Sequence, residues 1–241
     1  MSMGAPRILG VIPARGGSKG IPRKNLAPIL GKPLVAYTIE AALASRLLTE
    51  TIVSTDDEEI ARVSREYGAA VPFMRPAELA VDTALAVPTI QHAVREMEAL
   101  RRVRYDVVVM LQPTTPLRTT EDIDLSLQKL LDTGADSVIA VVDVGGHHPM
   151  RMKRIVDDVL VDYDPEPVEN MPRQKLPKVY RRTGSIFATR RDVLMERNSF
   201  KGSVSRPYIV PPERAVDIDE PLDLKMVELR LLELRKKAGA S

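Results

Sequence analysis

The sequence predicts an α/β fold in which helices cover both faces of a mostly parallel sheet. Apolar runs such as 7–14 (RILGVIPA) and 106–113 (DVVVMLQP) are typical of strands that are buried on both faces. Stretches of about 10 to 15 residues with helical spacing alternate with these runs, which indicates βαβ units with right-handed crossovers. We therefore expect a Rossmann-like, mixed but mostly parallel sheet that binds its ligand at the carboxyl ends of the strands.

The first half of the chain gives two strand and helix units. After the strand at 7–14, residues 32–45 repeat apolar side chains at helical spacing. Residues 50–68 predict a short strand, a helix capped at Thr55 and Asp56, and an end at Gly68.

The second half continues this alternation, with one interruption. Helices are predicted at 83–103, 123–134 and 221–237, strands at 136–144 and 206–210, and a strand followed by a helix at 184–198. The interruption, 145–183, is rich in proline and has one strand-like patch at 159–163. Long irregular inserts in compact domains are usually functional or interaction arms. We therefore divide the chain into an α/β domain (1–144 and 184–241) and an inserted arm (145–183).

Composition excludes several classes of function. The chain has no cysteine, which excludes disulfides, thiolate catalysis and sulfur-ligated metals and suits a cytoplasmic protein. No apolar run approaches the roughly 20 residues that span a bilayer, so we expect no membrane segment. The basic run at 101–104 has no aromatic platform beside it, so we expect no nucleic-acid partner.

A cation-rich, glycine-rich loop follows the first predicted strand. Its glycines at 16, 17 and 20 can turn backbone N–H groups toward an anion, and its cations can neutralise that anion. The loop has neither the Gly-Lys-Ser/Thr of a P-loop nor the G-x-G-x-x-G of dinucleotide folds. It therefore predicts a polyphosphate site, with a solvated basic turn as the alternative. The cations are Arg15, Lys19, Arg23 and Lys24.

Paired aspartates stand near the end of the chain. Asp217 and Asp219 are two positions apart, which places both carboxylates on one side of an extended segment. Two carboxylates together with substrate phosphates suit Mg²⁺. The alternative is an acidic cap for the helix that follows, with Glu220 and Asp223 at its positive end.

Eight stretches of the sequence, in order, resemble a known family. They are IPARGGSKGIPRKN, LVAYTIEAAL, VSTDDEEIA, RPAELAVDTA, LQPTTPLRT, HHPMR, PRQKLPKVYRRTGSIF and DIDEPLDL. The chain is similar from about Leu9 to Leu234 to the acylneuraminate cytidylyltransferases, the CMP-sialic acid synthetases and their legionaminic and pseudaminic acid relatives.

The resemblance implies a reaction and its partners. Members of this family combine CTP with a nine-carbon 2-keto acid sugar, a nonulosonate such as N-acylneuraminate, to give CMP-sugar and pyrophosphate with Mg²⁺. The anomeric hydroxyl attacks the α-phosphate in line. The resemblance also implies a homodimer in which the arm at 145–183 is the dimerisation element and brings a sugar-binding arginine to the partner.

The resemblance also assigns roles to individual residues. The catalytic residues would be Arg15, Lys24, Asp217 and Asp219, and the two aspartates would bind the metal ion. The nucleotide would contact Ala14, Arg15, Gly16, Ser18, Lys19, Lys24, Asn25, Arg75, Ala84 and Ala86. The sugar would contact Gln112, Arg151, Arg173, Arg181 and Phe187.

Two positions depart from the family pattern at the sugar end. Arg151 stands where many relatives have lysine, and Phe187 stands where an aromatic residue with a hydroxyl is common. The identity of the sugar and of the general base therefore stays open. Two alternatives also remain: a nucleotidyltransferase for an octulosonate or a hexose 1-phosphate, and a catalytically silent nucleotide-binding module.

Overall fold

A computed structural model describes residues 5–239 of the chain and the side chains of residues 5–236. Ten strands and six helices lie within this part of the chain. In chain order they are β1 (Ile8–Pro13), β2 (Pro28–Ile29), β3 (Lys32–Pro33), α1 (Leu34–Leu43), β4 (Glu50–Ser54), α2 (Glu58–Glu66), α3 (Ala86–Arg101), β5 (Val107–Met110), α4 (Thr120–Thr133), β6 (Ser137–Asp143), β7 (Lys153–Val156), β8 (Val159–Asp162), β9 (Tyr180–Arg190), α5 (Arg191–Glu196), β10 (Ser205–Ile209) and α6 (Pro221–Gly239).

The central sheet has six strands in the order β10-β6-β9-β5-β1-β4. β1 runs parallel to β4 and β5, and β6 runs parallel to β10. β9 is antiparallel to both of its neighbours, β5 and β6. The predicted mixed, mostly parallel sheet is thus confirmed. Because β9 is reversed, its first residues lie at the same edge of the sheet as the carboxyl ends of the parallel strands.

Side chains of the sheet alternate between two apolar layers. Ile8 and Ile12 of β1 pack with helices α1, α2 and α4, whereas Leu9 and Val11 pack with α3 and α5. All four side chains are buried. The continuous apolar run at the start of the chain therefore reflects burial on both faces, as expected for a central strand.

A third apolar cluster joins the two ends of the chain. Ile21, from the loop after β1, packs with Ile218 and with Val227 of α6. Ile29 and Leu34 complete the cluster on the N-terminal side. This packing holds the final helix against the glycine-rich loop, beside the carboxyl edge of the sheet.

The start of helix α2 differs from the prediction. Its cap is Asp57, whose carboxylate accepts hydrogen bonds from the backbone N–H groups of Glu59 and Ile60, both at 2.9 Å. Thr55 instead accepts from the N–H of Asp57, at 3.1 Å. Asp56 accepts from the N–H of Gly16, at 3.0 Å. The cap thus lies one residue later than predicted, which leaves Asp56 free to hold the glycine-rich loop.

The inserted arm leaves the sheet after β6 and returns at Tyr180, where β9 begins. β7 and β8 form a separate two-stranded antiparallel hairpin, and every residue of both strands is exposed. The predicted patch at 159–163 corresponds to β8, and β7 was missed. Asp157 and Asp158 join the two strands with positive φ angles of 49° and 64°, as a tight hairpin turn requires.

Hydrogen bonds close the base of the arm. The buried His148 ring accepts from the N–H of Met150 at Nδ1, at 3.2 Å, so its Nε2 carries the proton and donates to the carbonyl of Pro177, at 2.9 Å. Val144 N–H donates to the carbonyl of Val179, at 3.1 Å. The arm therefore leaves and rejoins the domain at one fixed point.

None of the helices between residues 5 and 239 is both long enough and apolar enough to cross a bilayer.

Candidate active site

An open cleft of about 280 Å³ lies at the carboxyl ends of β1 and β5. This is the edge at which open α/β sheets bind ligands. The cleft brings together eight of the residues assigned to the site from the sequence. They are Arg15, Ser18, Lys24, Asn25, Arg75, Ala84, Ala86 and Gln112.

Hydrogen bonds fix the shape of the glycine-rich loop. Ala14 N–H donates to the carbonyl of Ser54, at 3.0 Å, and so extends the pairing of β1 with β4 by one residue. The side-chain amide of Asn25 donates to the carbonyl of Arg15, at 2.9 Å, which closes the loop on itself. Gly16 is held from behind by Asp56. The loop is therefore a built structure, not a free basic turn.

The cations of the loop point in different directions. Arg23 turns away from the cleft and pairs with Asp57 and Glu59 at the start of α2, at 3.0 and 2.8 Å. Arg15 lines the cleft, and Lys19 reaches its mouth, where both pair with Asp82. Asp82 lies within the stretch RPAELAVDTA, to which the resemblance assigns no role at this position.

The glycine-rich loop meets the segment that carries the paired aspartates. Lys24 Nζ donates to the carbonyl of Ile218, at 2.6 Å, and lies 3.2 Å from a carboxylate oxygen of Asp219. Gly20 lies so close to the carbonyl oxygen of Asp219 that a Cβ atom would overlap it. Ile218 N–H in turn donates to the carbonyl of Thr114, at 2.8 Å. Three segments that are distant in sequence thus form one corner of the cleft.

The two aspartates of this corner differ in their surroundings. Asp219 is exposed, whereas Asp217 is partly buried beside Gly184. Burial raises the pKa of the Asp217 carboxyl above its usual 3.8 and the charge of Asp219 adds to this, while Thr114, Lys24 and Arg181 act in the opposite direction. A group whose charge is disfavoured in this way is suited to a compensating cation.

The donor set at this corner fits a hard divalent cation. Its two carboxylates supply only oxygen ligands, which Mg²⁺ prefers, and Mg²⁺ commonly takes its remaining ligands from water and substrate phosphates. Within the described part of the chain, no group of three or more acidic, histidine or cysteine side chains could hold a metal ion. A complete protein cage is thus absent there, and an ion at Asp217 and Asp219 would share its coordination with a ligand.

Arg75 is a fixed cation that also lines the cleft. Its Nε donates to the hydroxyl of Ser54, at 3.1 Å, and its Nη2 donates to the carbonyl of the same residue. Burial lowers the pKa of this guanidinium to about 10, and the neighbouring charge of Arg15 adds to the effect while that of Asp56 opposes it. Arg75 therefore remains charged at neutral pH. It faces the cleft together with Ala84 and Ala86.

Arg118 is a buried cation in the motif LQPTTPLR, and the resemblance assigned it no role in the site. Its Nε donates to the carbonyl of Ser185, at 2.7 Å, and its Nη2 to the carbonyl of Gln112, at 2.6 Å. Burial lowers its pKa to about 9, while the charges of Asp122 and Asp217 raise it. Arg118 thus ties the loop after β5 to strand β9. Its position at the end of LQPTTPLR was the only available signal, and burial could not be inferred from it.

The residues assigned to the sugar are only partly brought together. Gln112 lines the cleft and packs over Gly184, which has no side chain that would displace it. Arg181 lies beside this corner, donates to the carbonyl of Ala215, at 3.2 Å, and acts on the charge of Asp217. Arg151 instead pairs with Glu166 within the arm, at 3.5 Å.

Two further residues assigned to the sugar lie away from the cleft of the single chain. Arg173 is exposed on the arm, in a short 3-10 turn. Phe187 differs more clearly from its assignment, because it is buried in an apolar layer and its ring centroid lies 5.6 Å from that of Phe200. Its side chain is on the face of β9 that packs against α5 and α3, so it contacts the core where the resemblance implied a sugar contact.

Comparison with sequence families gives one match, to the family described as Cytidylyltransferase, over residues 9–210. Three similar proteins cover nearly the whole chain. CMP-N,N'-diacetyllegionaminic acid synthase of Legionella pneumophila is 35% identical and covers 96% of this chain and 99% of its own. Pseudaminic acid cytidylyltransferase of Campylobacter jejuni is 34% identical, covering 92% and 94%. Post-translational flagellin modification protein B of Campylobacter coli is 32% identical, covering 96% and 97%.

Solved structures show the same architecture. The structure of CMP:2-keto-3-deoxy-manno-octonic acid synthetase complexed with CTP superposes with a TM-score of 0.69 over 94% of this chain and 99% of its own, at 21% identity. A 4-diphosphocytidyl-2C-methyl-D-erythritol synthase from Anaerococcus prevotii gives 0.66 over 95% and 97%, at 14% identity. At these identities the likeness concerns the fold alone.

The contact of Gly20 with Asp219 gives a structural prediction. The substitution Gly20→Ala adds a Cβ that overlaps the Asp219 carbonyl, and overpacking of this kind typically costs about 1–3 kcal/mol. We expect the segment around Ile218 to open more readily, so that hydrogen exchange of the Ile218 amide quickens by about tenfold. Gly17→Ala, whose Cβ would meet no atom within 4 Å, is the matched control. Equal exchange in both variants would contradict the contact.

Proposed function

Because the chain belongs to the cytidylyltransferase family, we propose that it transfers CMP from CTP to a nine-carbon 2-keto acid sugar and releases pyrophosphate. The observation that carries the proposal is the meeting of Lys24 with Asp219 at one corner of the cleft. We take Lys24 as a cation for the triphosphate and Asp219 as a ligand for a metal ion, and this contact supports the proposal because it brings the two side chains together. Two curated relatives with names of this chemistry, at 35% and 34% identity, support the same interpretation.

The reaction requires charge neutralisation and alignment more than covalent catalysis. The anomeric hydroxyl of the sugar gives up its proton to a base and its oxygen forms a bond to the α-phosphorus, while the bond from that phosphorus to the bridging oxygen breaks and pyrophosphate leaves. Fixed cations stabilise the charge that moves onto the leaving group, and they act most strongly where water is excluded. We assign this role to Arg15 and Lys24, with the backbone of the loop at Gly16 and Ser18 and the side chain of Lys19.

We assign the metal site to Asp217 and Asp219. Mg²⁺ held by these carboxylates and by the triphosphate would supply a Lewis acid that neutralises phosphate charge. Partial burial makes the ionised form of Asp217 unfavourable without a nearby cation, which supports this assignment. Lys24 Nζ lies 3.2 Å from a carboxylate oxygen of Asp219 and would hold that carboxylate in place.

We assign the nucleoside to the other end of the cleft. Arg75 is fixed by two hydrogen bonds to Ser54, and Ala84 and Ala86 offer backbone groups without bulky side chains. We also assign Asn25, which lines the cleft, to the nucleoside. A rigid cation and small side chains suit a planar base whose edge is read by hydrogen bonds.

We place the sugar beside Gln112 and Arg181, and we propose that a second copy of the chain completes the sugar site. Arg151 and Arg173 lie on the arm, away from the cleft of their own chain. A partner's arm could bring such a cation to the sugar carboxylate, where an arginine can form a paired, charged contact.

Of the alternatives, an octulosonate or hexose 1-phosphate substrate has less support, since the sequence relatives described above are named for nonulosonates or flagellin.

The surface of the arm supports the homodimer. Ile155 and Leu160 of the hairpin are 75% and 71% exposed, and Val156, Val159 and Tyr163 are exposed beside them. Clustered apolar groups of this kind usually mark an interaction surface. We therefore propose that the arms of two subunits exchange.

We also propose that the enzyme acts in the cytoplasm, where its substrate CTP is made.

A substrate panel tests the proposed function. We expect pyrophosphate release from CTP and Mg²⁺ with at least one nonulosonic acid, measured by a coupled phosphate assay. An octulosonate, a hexose 1-phosphate and the other nucleoside triphosphates serve as the comparison set. Release with a hexose 1-phosphate alone would establish a different nucleotidyltransferase, and CTP binding without any release would establish the silent module.

Removal of one carboxylate tests the metal site. We expect Asp219→Ala to lower Mg²⁺-dependent turnover by about a hundredfold, since losing one such contact typically costs about 3 kcal/mol. CTP affinity should fall much less, because the loop cations remain. Glu220→Gln removes a neighbouring exposed acid and is the matched control. Undiminished turnover of Asp219→Ala would refute the metal assignment.

A charge placed on the hairpin tests the dimer. We expect Leu160→Lys to shift the protein toward monomer in sedimentation and to raise the KM for the sugar, with CTP affinity nearly unchanged. Leu229→Lys introduces the same change on α6, at a side chain that is 62% exposed, and is the matched control. A fully active monomer would contradict the shared sugar site.

A further inference from the structure

Asp82 pairs with two cations that the proposed function assigns to the triphosphate. Its carboxylate lies 2.9 Å from Arg15 Nη1 and 2.9 Å from Lys19 Nζ. Asp82 itself lines the cleft. An acid of the protein thus stands where the phosphate groups of a ligand would be neutralised.

The segment that carries Asp82 also forms one wall of the cleft. It connects the 3-10 turn Ala77–Leu79 to helix α3, and Val81, Asp82 and Ala84 of this segment all line the cleft. Apart from the ion pairs, Arg15 also approaches the carbonyl of Ala80, at 3.5 Å. The position of this wall therefore depends on how Arg15 and Lys19 are engaged.

Asp82 pairs with two cations at once, and the pairing is open to solvent. Hydrogen bonding to Lys19, together with the charges of Lys19 and Arg15, lowers the pKa of the Asp82 carboxyl, so it is ionised at neutral pH. The side chain of Lys19 is 83% exposed and that of Asp82 is 38% exposed. Such pairs exchange partners readily, because water solvates each group when the pair separates.

We propose that Asp82 is an internal counter-ion that occupies Arg15 and Lys19 in the nucleotide-free cleft and is displaced from them by a polyphosphate. This inference rests on the proposed function, because it takes CTP as the displacing ligand. A triphosphate carries more negative charge than one carboxylate and can satisfy both cations. When it binds, the segment 80–85 is released from the loop.

The counter-ion gives the cleft a preference among anions. To displace Asp82, a ligand must bring more negative charge to Arg15 and Lys19 than one carboxylate does. A triphosphate or pyrophosphate meets this condition, and a single phosphodiester, with one negative charge, meets it less well. The CMP-sugar product has lost the β- and γ-phosphates. Asp82 therefore opposes rebinding of the product and favours its release.

Calorimetric titration of Asp82→Asn tests the proposal. The amide keeps the shape of the side chain and removes its charge, so we expect CTP and inorganic pyrophosphate to bind about three- to tenfold more tightly than to the unaltered protein. Cytidine, which has no phosphate, should bind equally to both. Glu78→Gln is the matched control, because it removes an exposed acid four residues away that forms no ion pair within the described part of the chain.

A second variant makes the test independent of small shifts in affinity. In the unaltered protein Lys19 must separate from Asp82 before it can bind a phosphate. We therefore expect Lys19→Gln to lower the affinity for CTP less in the unaltered protein than in the Asp82→Asn variant. A double-mutant cycle measures this coupling directly. Additive effects of the two substitutions would overturn the proposal.

The outcomes separate this proposal from the proposed function. If the unaltered protein binds CTP and Asp82→Asn binds it equally or more weakly, Asp82 merely orients Arg15 and the counter-ion proposal is overturned while the function stands. If the unaltered protein binds neither CTP nor pyrophosphate, both are overturned. Tighter binding of cytidine as well would indicate a reshaped cleft and would also overturn the proposal.

Discussion

The cleft depends on one contact between the two ends of the chain. Lys24 holds the carbonyl of Ile218 and the carboxylate of Asp219, which lie 194 and 195 residues away. Ile21, Ile218 and Val227 form the apolar support beneath it. The apolar packing sets the approach of the two segments, and the ammonium group sets their register. Without this contact the glycine-rich loop and the acidic segment would belong to separate parts of the surface.

The cations of the cleft are compensated individually by acids of the same fold. Lys24 faces Asp219, Arg15 and Lys19 face Asp82, and the charge of Arg75 is supported by Asp56. Deeper in the protein, Asp122 and Asp217 support the charge of Arg118. An excess of unpaired positive charge would destabilise the empty cleft through self-repulsion. The acids reduce this cost and still leave cations that a more highly charged ligand can take over.

Much of the fold followed from patterns that are local in sequence. Apolar runs and helical spacing predicted the layers, and the glycine-rich loop and paired aspartates, which the sequence marked as candidate ligand groups, lie together at one corner of the cleft. The reversed direction of β9 was not accessible in this way, because strand direction depends on pairing between distant segments. Arg118, Asp82 and the cap at Asp57 were missed for the same reason: their roles arise from partners that only the folded chain supplies. Phe187 illustrates the converse, since an aromatic side chain within a motif serves the core.

Strand β9 has one further consequence. It begins where the arm ends, at Tyr180, and four residues later Gly184 lies against the side chains of Gln112 and Asp217. Gly184 lies where the pairing of β9 with β6 shifts register, between Arg182 and Phe187, so a displacement of the arm passes through an irregular part of the strand, and through no loop, before it reaches the cleft. In the dimer proposed above, the two subunits would thus be mechanically linked, and this corner of each cleft would respond to whether the partner is in place.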